Sequence, residues 1–478
     1  MALSYGVKYF MFSQVSLDRL APIMADLPTD FRVCIVGAGI VGLACAISLR
    51  QKGFQVTVVE KDKAIETTGA GIELQPNAVR VLQDLGVYDH VLQRSVLTPA
   101  LVLKEYTEGR VLHTQSVVKA AMSYGAPCLS VHRPHLRNTL HDKAVALGVK
   151  VMFGQNIQTH GLDLDHGRLT LGGSDGASGQ QEIEDGPGTE PPQTLCADLF
   201  IGADGANSSL REVVTGHKTD WVPHGKVVIR ILIDVGLIRE HEDLRHLVER
   251  RDCVVWLGPE SQAVTYCMGE IFNVAFTRPW STDAKDAFYA PQKVDFEAFV
   301  EQLAAEGWDV RLRKLIGLAR GTDILRWMFF EPQIDDEGTP WVNATGTCCL
   351  VGDAAHRTLP YLAQGAAIGL ESAAVLAGLL GKVRSKQDVP KVLGLYERLR
   401  KERSGHAIRA SLRNGRVWQV PDGPLKEERD RQLLNETPTA GFPNILADPF
   451  FQSWLWGYDT SKVVDEAWSM FVNGQSHY

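Results

Sequence analysis

The clearest pattern near the amino-terminal end is an unbroken β-branched run, RVCIVG at 32–37, which predicts a strand buried on both faces. GAGIVG follows and opens a helix of small residues, VGLACAISLRQKG, ended by Gly53. QVTVVEKD then supplies a second strand, completing a βαβ unit by residue 60. GAGIELQPNAVRVLQDLG reads as a loop entering a helix stopped at Gly86, and residues 100–120 alternate as short strands around a turn at Glu108-Gly109. RPHLRNTLHDKAVALG places Leu136, Leu140, Ala144 and Leu147 along one helical stripe. Beyond a polar excursion at 172–194, rich in Gly, Ser, Glu and Pro, order resumes with LCADLFIGADG. Residues 222–278 alternate in the manner of antiparallel strands (KVVIRILID, CVVWLG, AVTYCMG, FNVAFT). α/β character returns at TCCLVGDAAH and its following helix, then 391–435 is helical and charged. The tail carries three tryptophans in ADPFFQSWLWGYDTSKVVDEAWSMF, which reads as a packing strap.

This order, α/β then antiparallel then α/β again, implies a discontinuous nucleotide-binding domain with an antiparallel sheet inserted into it. We assign 31–100, 125–215 and 340–385 to the first domain and 101–124 with 216–339 to the second, followed by carboxy-terminal helices over 386–478. Residues 1–30 read as an extension, disordered or loosely attached; Met24 opens a conventional short lead into the first strand, so 1–23 are candidates for lying outside the native product.

Composition narrows the function classes. The 478 residues carry a net charge of −8, which argues against a nucleic-acid partner bound through its phosphates. No stretch reaches the ~18 uninterrupted apolar residues of a spanning helix, so no stable membrane insertion is expected. The eight cysteines include no CxxC pair, giving no support for a metal site and fitting a reducing, cytoplasmic compartment.

Gly37, Gly39 and Gly42 form GxGxxG between a strand and a helix. The first permits the tight turn, the second lets the backbone approach a pyrophosphate, and the third lets the helix pack on the strand. Glu60 ends the second strand 18 residues after Gly42, placed to accept ribose hydroxyls; an acid there suits FAD or NAD and disfavours a 2′-phosphate.

Two more motifs decide between these cofactors: IGADGANSSLR at 201–211 and LVGDAAHRTLPYLAQGAAIGLE at 350–371. The three patterns in this order resemble the FAD-dependent aromatic-ring hydroxylases (group A flavoprotein monooxygenases), particularly their salicylate hydroxylase-like fungal members, over roughly residues 31–475. The resemblance implies a fold like that of p-hydroxybenzoate hydroxylase: a Rossmann-type FAD domain, an inserted antiparallel-sheet substrate domain and a carboxy-terminal helical segment. It implies that Asp353 bonds the ribityl chain, that Gly365-Ala366 heads a helix aimed at the flavin's pyrimidine end, and that Pro360 lines the reacting face. It further implies that Asp204 steadies the FAD region, that Arg133 contacts the FAD backbone, and that Gly71 passes near the ribityl chain. Two positions depart from the family: GLES lacks the Asp that often follows the Glu, and Arg357 stands where many relatives have proline. His356 reads as a structural neighbour of the loop rather than a base.

On the substrate side the resemblance points to Arg230 and Tyr266 as catalytic candidates, with Gln262 standing where the family usually has His. Arg230 suits a phenolate or carboxylate through a forked contact. Trp221, Trp256 and Trp327 read first as core, with chamber lining the other reading. The implied chemistry is reduction of FAD by NADPH or NADH, reaction with O2 to a C4a-hydroperoxide, and hydroxylation of a small aromatic, polyketide-like or alkaloid-like substrate. Epoxidation, dehydrogenation or oxidative cyclisation stays open, as does a non-catalytic binder on the same fold and a homodimer.

Overall fold

A computed structural model describes residues 30–474, apart from 66–68, 156, 158–160, 165, 172–193, 219–220, 282, 284–287, 289 and 333–337. The expected extension before residue 30 and nearly all of the polar excursion at 172–194 lie outside the described residues. The β-branched run forms the strand Arg32–Val36, the middle of a five-stranded parallel sheet. Leu199–Gly202 and then Cys348–Leu350 lie to one side of it, Gln55–Val59 and then Lys150–Met152 to the other. Strands 150 or more positions apart thus share one sheet. Helices Ile40–Gln51 and Gly365–Leu380 pack on each other in the surrounding core, where Val41 fits against Gly369 so closely that a Cβ there would stand 2.5 Å from Val41 Cγ2.

The second large sheet has eight strands, with Pro223–Asp234, Ile271–Pro279, Ser261–Cys267, Cys253–Gly258 and Ala100–Glu105 as consecutive neighbours. Its register separates two faces. Ile229, Ile231, Ile233, Val274, Phe276 and Trp256 build a core against the helices Glu242–Arg250, Phe296–Ala305 and Val310–Gly317. The opposite face follows from the alternation of side chains along each strand. There Arg230 pairs with Ala275, Ala275 with Val264, and Val264 with Val255. Gln262 pairs with Thr277 and Tyr266 with Asn273, so Arg230, Gln262 and Tyr266 share that face.

The helix Val389–Trp418 has 30 residues, ~45 Å at 1.5 Å per residue. It anchors the loop before helix Gly365–Leu380: Ser411 Oγ donates to Leu359 O at 2.7 Å and Asn414 Nδ2 to Tyr361 O at 2.9 Å. The tail straps across the molecule, with Arg80 Nη2 donating to Trp456 O and Tyr458 O, each at 2.6 Å. Among the described residues no helix is long and apolar enough to cross a membrane.

Candidate active site

The phosphate turn is shaped by close approach. Gly37 has φ of +105°, and a Cβ on it would stand 2.4 Å from Ala203 O; one on Gly42 would stand 2.0 Å from Gly37 O. Around Gly39 a Cβ would meet nothing within 4 Å, leaving room above the turn for a ligand. The helix Ile40–Gln51 has neither a side-chain cap nor an acid in its first turn, so its N–H groups and positive dipole end face outward. Glu60 is nearly buried, and its Oε2 accepts from Ala38 N–H at 2.7 Å and from Arg137 Nη2 at 3.2 Å. Arg137 Nε in turn donates to Ala38 O at 2.8 Å. Arg137 escaped the sequence reading; its signal was its place one turn after Arg133 on the same helix face.

The second motif meets the first. A Cβ on Gly352 would lie 3.0 Å from Val41 Cγ1, in the first turn of the phosphate helix. Asp353 follows at once, and its side chain is exposed although Ala354 and Ala355 beside it are fully buried, so it faces an open groove. Burial within the surrounding protein raises its carboxyl, while Arg133 and Arg357 pull it down. Arg211 Nη1 donates to Ala354 O at 3.0 Å and Ala355 O at 2.9 Å, fixing the loop. Asp204 spends its carboxylate locally, accepting from Ser208 Oγ at 2.5 Å and Ser209 N–H at 2.7 Å to cap the helix Ser209–Thr215. His356 is buried against Ser372 Oγ at 3.0 Å, and burial holds its imidazole down at about 3. Arg357 donates to Glu331 O at 2.6 Å and lies over the Trp221 ring at 4.3 Å.

Gly365 and Ala366 begin the helix Gly365–Leu380, again with no side-chain cap and no acid in the first turn. Gln364 is turned away from it: its Nε2 donates to Gln75 Oε1 at 2.6 Å and its Oε1 accepts from Asn77 Nδ2 at 3.0 Å. Asn77 also reaches Glu371 Oε1 at 2.7 Å, and Glu371 is clamped by Arg400 at 3.0 Å and Arg403 at 2.9 Å, all three side chains almost fully buried. This network ties the helix start to the carboxy-terminal helices.

Arg133, Arg230, Tyr266 and Asp353 gather in one electrostatic neighbourhood. Arg230 is half-buried, and burial weakens its charge while Tyr266 supports it. Burial and then Glu73 push the Tyr266 phenol up, against Arg230 and Arg133. A Cβ on Gly71 would lie 2.7 Å from Tyr266 Oη, so this ring packs directly under the Gly71 segment. Beside Pro360, Leu362 and Ala363 opens a cavity that also takes in Glu73, Gln262, Trp418 and Trp456. Neither Arg230 nor Tyr266 lines it. Of the tail's tryptophans, Trp456 therefore both packs and faces the cavity, whereas Trp256 is fully buried in the far-face core. Glu73 and Trp418 were missed from sequence.

The residues present fit an FAD: room at Gly39 before one uncapped helix start, carboxylates at Glu60 and Asp353, and a second uncapped helix start at Gly365. The comparisons agree. A family model described as "FAD binding domain" matches residues 30–411. The FAD-dependent monooxygenase OpS4 of Beauveria bassiana is 27% identical over 93% of this chain and 99% of its own length. The 3-amino-4-hydroxybenzoate 2-monooxygenase PtnB3 of Streptomyces platensis is 30% identical over 90% of this chain and 97% of its own. Among solved structures, CtdE in complex with FAD and substrate aligns at a TM-score of 0.73 and 20% identity, covering 94% of this chain and 100% of that one. With the fold, both sequence motifs and the matched length in agreement, the chain belongs to the FAD-binding domain family and is an FAD-dependent monooxygenase, an oxidoreductase with a fold of the p-hydroxybenzoate hydroxylase type.

Proposed function

We propose that the protein hydroxylates a small, electron-rich aromatic ring held in the cavity beside Pro360, with NADH or NADPH as reductant and O2 as the oxygen source. The names of its relatives support an aromatic substrate: PtnB3 acts on 3-amino-4-hydroxybenzoate, and a relative from Polaromonas naphthalenivorans is a 3-hydroxybenzoate 6-hydroxylase. FAD, once bound, supplies the oxygen-activating redox chemistry.

This chain's residues supply place and charge. Gly37, Gly39 and Gly42 open the turn to the pyrophosphate, and Glu60, braced by Arg137, takes the adenosine ribose. Asp204 caps the helix that carries Arg211, and Arg211 braces the Gly-Asp loop, so that Asp353 meets the ribityl chain while Arg133 and Gly71 flank it. The uncapped start at Gly365-Ala366 favours negative charge on the ring's pyrimidine end. Tyr266 supports the Gly71 segment from beneath, and Arg230 adds positive charge on the same sheet face. The apolar cavity walls exclude water from the reacting atoms. Seven of the eight cysteines are buried thiols, in keeping with a reducing compartment such as the cytoplasm.

The observation that carries this reading is the contact of the two cofactor motifs at Gly352 and Val41, next to a cavity edged by Pro360. Purified protein should be yellow, consume NAD(P)H faster when substrate is added, and place one oxygen-18 atom from labelled O2 in the product. A product oxidised without label would replace hydroxylation by dehydrogenation.

A further inference from the structure

The cavity wall carries a charge pattern of its own. Its polar side chains are Glu73, Gln75, Thr98, Gln115, Gln262 and Tyr361, with the indole of Trp418. Among the described residues that line it there is no Lys, Arg or His. The single ionisable carboxyl, Glu73, sits on the strand Gly71–Leu74 and accepts a hydrogen bond from Ser130 Oγ, itself 2.9 Å from Thr98 Oγ1. Three further wall atoms, Gln262 Oε1, Tyr361 Oη and Trp418 Nε1, are buried and unpaired within the protein. A wall so equipped offers acceptors at Glu73 and Gln262 and neutral donors at Trp418 and Tyr361, but no cation to balance an anion's charge.

We propose that this cavity selects aromatic substrates without a carboxylate, which hand a phenolic O–H or ring N–H to Glu73. The proposal rests on the monooxygenase reading above and narrows its substrate class. A benzoate would bring a second carboxylate into a water-poor space beside Glu73, with no cation to offset the two like charges. A phenol or an N–H heteroaromatic instead supplies the donor that Gln262 lacks and a further one for Glu73 beside that of Ser130.

Burial raises the Glu73 carboxyl to about 7, with the Ser130 and Thr98 hydroxyls pulling it partly back. The groups coupled to it from neighbouring elements are the Cys128 and Cys253 thiols and the Tyr266 phenol, all pushed up by burial. Arg230 and Arg133 act on that same phenol, but neither lines the cavity. Glu73 is therefore neutral below that pH and charged above it. A benzoate stays ionised throughout, so its exclusion is weak in acid and strengthens as pH rises.

The test uses the yellow holoenzyme and matched pairs, resorcinol against 3-hydroxybenzoate and indole against indole-2-carboxylate. Dissociation constants come from perturbation of the flavin spectrum, at roughly pH 6 and roughly pH 8.5, on either side of the Glu73 midpoint and below the phenols' own titration. The neutral member should bind at least about tenfold more tightly at the higher pH, and the gap should shrink several-fold at the lower. Glu73→Gln should flatten that pH dependence with the flavin-to-protein ratio unchanged. A 3-hydroxybenzoate that binds as tightly as resorcinol at both pH values overturns the proposal, as does a pH-independent gap in the wild type, which needs no variant to fold. If no compound of either class perturbs the flavin, the cavity is not the substrate site and the proposal falls. Oxygen-18 from labelled O2 incorporated only into carboxylate-bearing compounds would sink this inference and leave the monooxygenase reading intact. Selective binding of neutral compounds with no labelled product would do the reverse.

Discussion

The cofactor cradle and the substrate cavity lie side by side yet are built on opposite plans. The cradle is made largely of backbone, and its groups are paired: Gly37 N–H with Val59 O and Ala203 N–H with Val36 O, both at 2.8 Å, and Ala38 with Glu60 and Arg137. What it leaves open are two helix starts, which suit phosphate and a ring that gains negative charge. The cavity is made of side chains from distant segments, and it keeps unpaired polar atoms and a carboxyl displaced from its ordinary range. A rigid, satisfied cradle suits a single cofactor, whereas unsatisfied groups cost stability until a matching ligand arrives, and so suit selectivity.

The sharpest way to break the comparison is to disturb both regions at once. Glu371 stands behind them, joined through Asn77 and Gln364 to Gln75, whose Oε1 also accepts from Trp456 Nε1 at 2.7 Å on the cavity wall. Burial would raise the Glu371 carboxyl, but Arg403 and Arg400 outweigh it and bring it to about 2. A depressed carboxylate stabilises the fold at any pH above its ordinary value and loses that contribution only as pH falls towards 2. Glu371→Gln leaves two buried guanidinium groups without their anion, a loss of ~3–5 kcal/mol. Denaturant unfolding of the holoenzyme near neutral pH should show it; an unchanged midpoint would mean that the network carries no stability.

This division also explains what could be read from the chain alone. GxGxxG, the strand-end Glu60, and Asp353 with its helix are contiguous, and each requirement falls on a few neighbouring positions, so the cradle and its parallel sheet were legible. Arg137 was not, because its partners, the Ala38 backbone and Glu60, come from elements far back in the chain. The cavity was harder still. In CVVWLG every position is apolar, so alternation cannot tell which parity faces the core; Val255 lines the cavity while Trp256 points the other way. Trp418 and Trp456 arrive from helices more than three hundred positions after Glu73, and no local pattern foretells that meeting.

A smaller intervention should break the cradle and spare the cavity. Asp353→Ala removes the carboxylate between the two helix starts while leaving Gly352 against Val41. We expect FAD affinity to fall about 100-fold, or ~2.7 kcal/mol, read from absorbance at the flavin band against protein after dialysis. The apoprotein should unfold no earlier than the wild-type apoprotein, since a solvent-facing carboxyl held above rather than below its ordinary range gives nothing to the unliganded fold. Full retention of yellow cofactor would remove Asp353 from the cradle.

The finest test separates stability from selectivity inside the cavity. Gln262 is 4% exposed, and its Oε1 has no partner, a state that costs ~1–3 kcal/mol for a buried polar group. Met has nearly the same length and flexibility and no polar oxygen to leave stranded. Gln262→Met should therefore raise stability, by ~0.5–1 kcal/mol once the slightly different shape is absorbed. If Gln262 meets the substrate, the same change should raise KM severalfold with FAD content unchanged. If the amide matters only to the sheet, stability will fall and KM will stay where it was. The two signs are opposite, so one variant, measured by unfolding and by turnover, tells whether the cavity's unpaired atoms are held for a ligand.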